Sequence, residues 1–285
     1  MANYINKLLK LFIPPIFFKL LSSKNKKILQ FTKTNLSWDE VLKVIPSDYS
    51  AENILTKCRD SLLKVKNGEY PYERDSVLFT EKIIFYPLLS SLLYIAIKNN
   101  YNLNIIDYGG SLGSTYFQNI EILRNAGITI NWNIIEQKNF VTCGKKYFTE
   151  NNLDFFYNIS EIPNMERINT FLFSSVLQYL KDPYQIMDSI KKYEITYLII
   201  DRTIFIEDEP NDILTFQKVP DEIYKASYPA WFLSLNKFIH YIEKDYEILL
   251  KWNSLDQHSL INYKTIGLGF LLQKKVSISK NAKNI

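Results

Sequence analysis

The chain has 285 residues, 47% of them hydrophobic and 15% aromatic, enough to bury one large domain or a core with a smaller appendage. With 34 Lys and Arg against 30 Asp and Glu, its net charge of +4 is too balanced for a nucleic-acid binder, and no arginine-rich stretch exists. Two cysteines, Cys58 and Cys143, and two histidines, His240 and His258, exclude a disulfide framework, argue against a Cys/His zinc centre and fit a reducing cytoplasm.

The N-terminal stretch from Leu8 to Leu21 comes nearest to a membrane span. Lys10, Lys19 and Pro14-Pro15 interrupt it, so it falls short of the roughly 18 apolar residues a span needs. It also lacks the small-residue cleavage site of a signal peptide. Two placements stay open: packing on the body of the protein, or lying at a membrane interface with its lysines toward headgroups. Lysines gather at both ends, at Lys24, Lys26 and Lys27 and at Lys274, Lys275, Lys280 and Lys283. They read as solvated termini or as a weak attraction to an anionic surface.

Residues 1 to about 100 read as a mostly helical extension or cap. Trp38 to Val44, Ala51 to Val65 and Ile83 to Lys98 carry apolar residues at helical spacing, punctuated by Pro46, Pro71 and Pro87. A polar cluster, Tyr72-Glu-Arg-Asp-Ser-Val-Leu-Phe79, lies between them. From about 101 short apolar runs alternate with helical segments, and five strands fit residues 101 to 202. Such alternation implies crossover units and a parallel sheet. Residues 203 to about 244 break the pattern and read as an insertion over the strand ends. Tyr246 to Trp252 and Ile266 to Gln273 close the chain as two further strands.

The most telling stretch begins at Leu103. An apolar strand runs into Asp107, then Gly109, Gly110 and Gly113 make a tight turn, and the helical run Thr115 to Ala126 follows. Glycine turns at strand ends let backbone approach a nucleotide-like ligand closely. The next strand, Ile130 to Ile135, ends in Glu136, where an acid can grip ribose hydroxyls. The dinucleotide pattern would need glycines at 109, 111 and 114, but 111 and 114 are Ser. An acid just before the turn suits a ligand with a positive or donor-rich group and no pyrophosphate, which S-adenosylmethionine is.

Asp107-Tyr-Gly-Gly-Ser-Leu-Gly113, with Glu136 closing the second strand, resembles the cofactor site of class I S-adenosylmethionine-dependent methyltransferases. More narrowly, five motifs resemble a family of predicted methyltransferases encoded among bacterial surface-polysaccharide genes. They are Glu73 to Phe79, Asp107 to Gln118, Ile135-Glu-Gln137, Ser174 to Leu180 and Tyr228-Pro-Ala-Trp231. The resemblance implies an α/β Rossmann-like fold with a mostly parallel seven-stranded sheet spanning 101–285, behind the 1–100 extension. It implies that Asp107, Gly109, Gly110 and Gly113 surround the methionine part of the cofactor, that Glu136 holds the ribose and that Asn158 faces the adenine edge. Ser174 would stand beside the cofactor, and Gln178 and Tyr179 would border the reactive methyl. The family pattern has glycine where Ser111 stands.

Other candidates rest on their own chemistry. Asp201, read as the tip of strand five, could take a proton from a hydroxyl nucleophile or pair internally with Arg202. Glu73, Arg74 and Asp75 could bind substrate, or could lock the cap to the sheet domain; Arg202 could bind substrate, or pair with Asp201. Tyr228 and Trp231 offer flat faces for sugar stacking, or anchor the insertion. His240 is a possible base or a structural residue, and His258 reads as inert. No metal is expected. The leading expectation is methyl transfer to a hydroxyl of a small-molecule or lipid-linked glycan, by a cytoplasmic protein with possible peripheral membrane contact. A non-catalytic scaffold that keeps the fold, and a nicotinamide oxidoreductase, are the rivals.

Overall fold

The alternation from residue 101 onward builds a sheet whose centre is parallel. In the computed structural model, which describes residues 30–45, 52–219 and 226–275, strands β4 (Asn102–Tyr108), β5 (Thr129–Ile135), β6 (Leu153–Phe156), β7 (Thr170–Ser174) and β8 (Tyr197–Ile206) pair in parallel in the order β6-β5-β4-β7-β8. The order reverses at β4, which makes the carboxyl ends of β4 and β7 the natural ligand crevice. β11 (Tyr246–Asn253) and β12 (Thr265–Lys274) form the expected closing pair, with β12 antiparallel to β8. These seven strands are the predicted Rossmann-like sheet. The N-terminal segment weighed for membrane contact, with its lysines, and Lys280 and Lys283 lie outside the described residues.

Helices cover both faces. On one, α3 (Tyr86–Lys98), which starts with Pro87 in its first turn, and α4 (Ser114–Asn125) bury Leu88, Leu92, Ile95, Tyr116 and Leu123 against Leu103 and Ile105 of β4. On the other, α6 (Pro183–Ile190) and α7 (Leu235–Ile242) bury Met187, Ile190, Phe238 and Ile242 against Ile106, Phe171, Phe173 and Ile200. Each such aliphatic or aromatic side chain contributes about 1.5–3 kcal/mol by leaving water. α5 (Lys138–Tyr147) follows β5.

The structure adds to two expectations. Among the described residues the sheet has ten strands, the predicted seven and three more beyond β8. The insertion contributes β9 (Ile213–Lys218) and β10 (Ser227–Ser234), an antiparallel pair joined to the upper half of β8 through Leu233 and Ser234 of β10. The outer edge of that pair is taken by β1 (Gln30–Lys33), from the region read as helical. That region also holds the hairpin β2 (Tyr72–Arg74) and β3 (Val77–Phe79), beside α1 (Trp38–Val44) and α2 (Glu52–Lys66). Strands of three or four residues are too short to show a two-residue alternation, so helical periodicity around them masked them.

β8 carries the most consequential irregularity. Ile200 faces Phe270 and Thr203 faces Leu268, so Asp201 and Arg202 together oppose Gly269, a β-bulge. Arg202 takes φ +52° there. Gly269 leaves room for the Trp252 indole, whose Nε1 donates to Asp201 at 2.9 Å; a Cβ on Gly269 would lie 2.2 Å from the ring. Gly269→Ala should therefore lower stability by about 1–3 kcal/mol through overpacking. Urea unfolding checks this, and wild-type stability would mean that the indole is free to shift.

Candidate functional site

The glycine turn draws Asp107 and Glu136 together. Asp107 is 0% exposed and accepts the Trp132 indole N–H at 3.0 Å. Gly109 takes φ +72° and its N–H donates to the Ile135 carbonyl at 2.8 Å, which brings the turn to the root of Glu136. A Cβ on Gly110 would lie 2.5 Å from the Asp107 carboxyl carbon. Only glycine therefore fits above that carboxyl. Gly113, at φ +104°, starts α4. Ser111 adopts φ +54°, the left-handed conformation a glycine would take, and its N–H donates to Glu136. Ser111 thus holds a conformation that favours glycine, at a backbone strain of about 1–2 kcal/mol.

Electrostatically the turn is unusual. Burial pushes Asp107 up to about 7, with Glu136 adding to the rise and the Trp132 hydrogen bond opposing it. Burial likewise pushes Glu136 up to about 7, against the N–H groups of Gln137 and Ser111. Asp107 Oδ1 is buried without a hydrogen-bond partner among the described residues. Neither carboxyl is joined by a salt bridge to a cation among them. Such a pair is suited to a ligand that brings positive charge or several donors.

Beside Glu136 an open depression of about 500 Å³ is lined by Gln137, Lys138, Asn139, Thr142 and Tyr157. Asn158 borders it in sequence, exposed, with its amide on Glu161 at 3.3 Å. Ser174 ends β7, and the following Ser175 N–H donates to the Asp201 carbonyl at 3.0 Å.

The remaining candidates gather around the bulge. Arg202 reaches Asp75 of the hairpin and Asp256 of the β11–β12 loop, at 2.5 Å each. Asp75 and Ser76 both have positive φ, at 51° and 67°, a hairpin turn made without glycine. Gln178 is buried, donates to the Arg202 carbonyl at 3.0 Å, and its Oε1 has no partner among the described residues. The Tyr179 ring meets Tyr228 edge-on at 5.5 Å, and burial together with Tyr228 and Asp75 raises its hydroxyl pKa. Arg74 lies over the Phe79 ring, 5.9 Å from its centre. Trp231 instead stacks on Trp38 at 5.9 Å and donates to the Leu180 carbonyl at 3.1 Å, tying the insertion to α1 and to the loop after β7.

One reading changes. Asp201 is not a strand tip, because β8 continues to Ile206. Its carboxyl accepts Trp252 and the Arg202 N–H, is 1% exposed and is pushed to about 6 by burial; it organises the bulge and lies closed off from the crevice. His258 lies in the β11–β12 loop, where its ring meets Phe31 at 5.1 Å and burial lowers its pKa beside Asp256. His240 lies exposed on α7. Sequence reasoning gave no role to Trp132, Trp252 or Asp256, and did not foresee that Glu73 meets the glycine turn through Ser114. The indoles carried one signal, a donor on a strand neighbouring an acid, but which partners they meet depends on register.

No family model matches the chain, and no curated protein matches it. Solved structures are similar to it at low identity. The N-terminal domain of EvdMO1, in the presence of SAH and D-fucose, is 10% identical, covers 76% of this chain and 97% of its own, and has a TM-score of 0.45. The glycopeptide N-methyltransferase MtfA complexed with S-adenosyl-L-methionine is 7% identical over 65% of this chain and 92% of its own, with a TM-score of 0.42. The PH0226 protein from Pyrococcus horikoshii OT3 is 10% identical over 67% and 91%, with a TM-score of 0.41. Among the described residues, no helix is long and apolar enough to cross a membrane, and no group of three or more His, Cys, Asp or Glu could hold a metal ion.

The raised acids fix the pH behaviour. Asp107 holds its proton to about pH 7 in the folded chain and loses it near its ordinary value of 3.8 when unfolded. Between those values the folded state binds more protons, so stability is full below the lower value and is lost as pH rises through the upper one. Asp107→Asn should flatten this decline. The readout is unfolding free energy across that window; an unchanged slope would mean that Asp107 is ionised in the folded protein.

Proposed function

We propose that the chain transfers the methyl group of S-adenosylmethionine to a hydroxyl of a sugar or glycan precursor, in the building of a surface polysaccharide. The observation that carries the cofactor part is the buried Asp107 carboxyl under Gly110, with Glu136 beside it and, among the described residues, no partner for Asp107 Oδ1 and no salt bridge on either acid. The residues fit the cofactor. Glu136 would accept the ribose hydroxyls, the depression lined by Gln137 and Tyr157 would take the base, and Asp107 with Gly109, Gly110 and Gly113 would surround the amino-acid end.

S-adenosylmethionine supplies a methyl on a sulfonium, already a good leaving group. The protein's share is then alignment and exclusion of water. The β2–β3 hairpin, fastened through Asp75 to Arg202 and through Glu73 to Ser114 at the start of α4, would help close the crevice from one side. Tyr179 and Tyr228, with Gln178 behind them, form the acceptor side, where hydroxyls and ring faces suit a polyol. Asp201 positions Arg202, and Asp75, Arg74 and Arg202 border the acceptor. The resemblance carried by the five motifs supports the glycan class.

Labelled methyl donor incubated with surface-glycan precursors should give products heavier by one methylene, read by mass spectrometry. Glu136→Ala should weaken binding of S-adenosylhomocysteine by about tenfold or more, since it removes a charged hydrogen-bond acceptor. Calorimetry measures it, and equal affinity in the variant would overturn the ribose assignment.

A further inference from the structure

Glu73, in the middle of β2, is 3% exposed. One carboxylate oxygen accepts the hydroxyl of Ser114, the residue directly after Gly113, and the other accepts the Ser76 N–H at 3.1 Å. Its carbonyl accepts the Gln118 amide, one turn further along α4, at 3.0 Å. Cys58 closes the group: its sulfur accepts the Ser76 hydroxyl at 3.2 Å and hydrogen-bonds Ser111. Glu73 is thus pressed against the glycine turn, enclosed by Ser76, Cys58, Ser111 and Ser114.

The donors to Glu73 are neutral, and among the described residues no salt bridge joins it to a cation. A buried carboxylate left this way is expensive, and a glutamine could have made the same strap without the charge. Burial accordingly pushes Glu73 up to about 7. A cation arriving at the turn would remove the penalty. The first turn of α4 favours the opposite charge, because helix N-termini present free N–H groups. Side by side, the two match the two ends of one zwitterionic amino acid.

We propose that Glu73 anchors the amino-acid end of the adenosyl cofactor, its carboxylate accepting the α-ammonium at the mouth of the glycine turn. The assignment rests on the methyl-transfer reading above and adds a residue to it. It divides the ligand among three acids: Glu136 at the ribose, Asp107 beneath the turn and Glu73 at the tail. It also gives the hairpin a role in binding, since Glu73 is carried on β2.

The test is a cycle of one residue against one ligand fragment. S-adenosylhomocysteine carries the amino-acid tail; 5′-methylthioadenosine keeps the nucleoside and the thioether and lacks it. Calorimetric titration of the full chain should show Glu73→Gln weakening S-adenosylhomocysteine by about 10- to 100-fold, the range of one hydrogen bond to a charged group, while 5′-methylthioadenosine is held as by wild type. Equal losses for both ligands would reduce Glu73 to a structural strap, and unchanged affinity for S-adenosylhomocysteine would remove it from the site; either overturns the proposal. Should the glutamine variant fail to fold, Glu73→Asp, one methylene shorter, takes its place with the same expected split between the ligands, and no split overturns the proposal. Wild-type protein that binds neither ligand would instead sink the cofactor reading itself.

Discussion

The Asp107 carboxyl sits in a slot with the Trp132 indole on one side and Gly110 above it, and much of the crevice is organised around that fit. Any side chain at 110 would strike it. The tight turn, the start of α4 and the approach of Gly109 to Ile135 follow from keeping the backbone close over that acid. Burial then makes the acid reluctant to ionise, and Glu136 beside it strengthens the effect. The result is a pair of carboxyls that become favourable when a cationic or donor-rich ligand covers them.

A second constraint lies at the bulge in β8. Two residues facing Gly269 turn the Arg202 side chain out of the sheet, where it joins the β2–β3 hairpin to the β11–β12 loop through two carboxylates. Asp201 is held beneath by Trp252. The same acid-and-indole arrangement therefore occurs on two strands, β4 and β8, once at the glycine turn and once at the bulge. At both places an indole N–H supplies the buried carboxyl with a neutral donor; at the turn, where Asp107 Oδ1 has no hydrogen-bond partner among the described residues, the charge state is sensitive to what arrives nearby. The extra sheet of β1, β9 and β10 extends from the upper half of β8, so Tyr228 stands opposite Tyr179 at the edge of the crevice.

The sequence made the central layer legible because long apolar runs alternate with helices there, and period and length agree from Asn102 to Ile206. The glycine turn and Glu136 were legible for a different reason: their spacing is local, and a tight turn needs glycine whatever surrounds it. The short strands β1, β2 and β3 were not legible, since three or four residues carry no period. Asp201 was misplaced because a bulge leaves no composition signal; the strand looks finished where its register merely slips. Glu73 stood in a motif read as binding substrate or locking the cap, and its tie to the turn was not legible, because its partner Ser114 lies 41 positions away and meets it only through the fold. Ser111 shows the converse. It departs from the glycine pattern, yet the backbone still takes the left-handed conformation.

The account stands on the two acids at the turn ionising, with their protons passing to the solvent, when a ligand that brings its own charge and donors binds. The direct measurement is calorimetric titration of wild-type protein with S-adenosylhomocysteine, slightly below neutral pH, in two buffers of different ionisation enthalpy. The account predicts binding whose heat changes with the buffer, in the sense of protons released. Absence of binding, or binding whose heat is the same in both buffers, would contradict it.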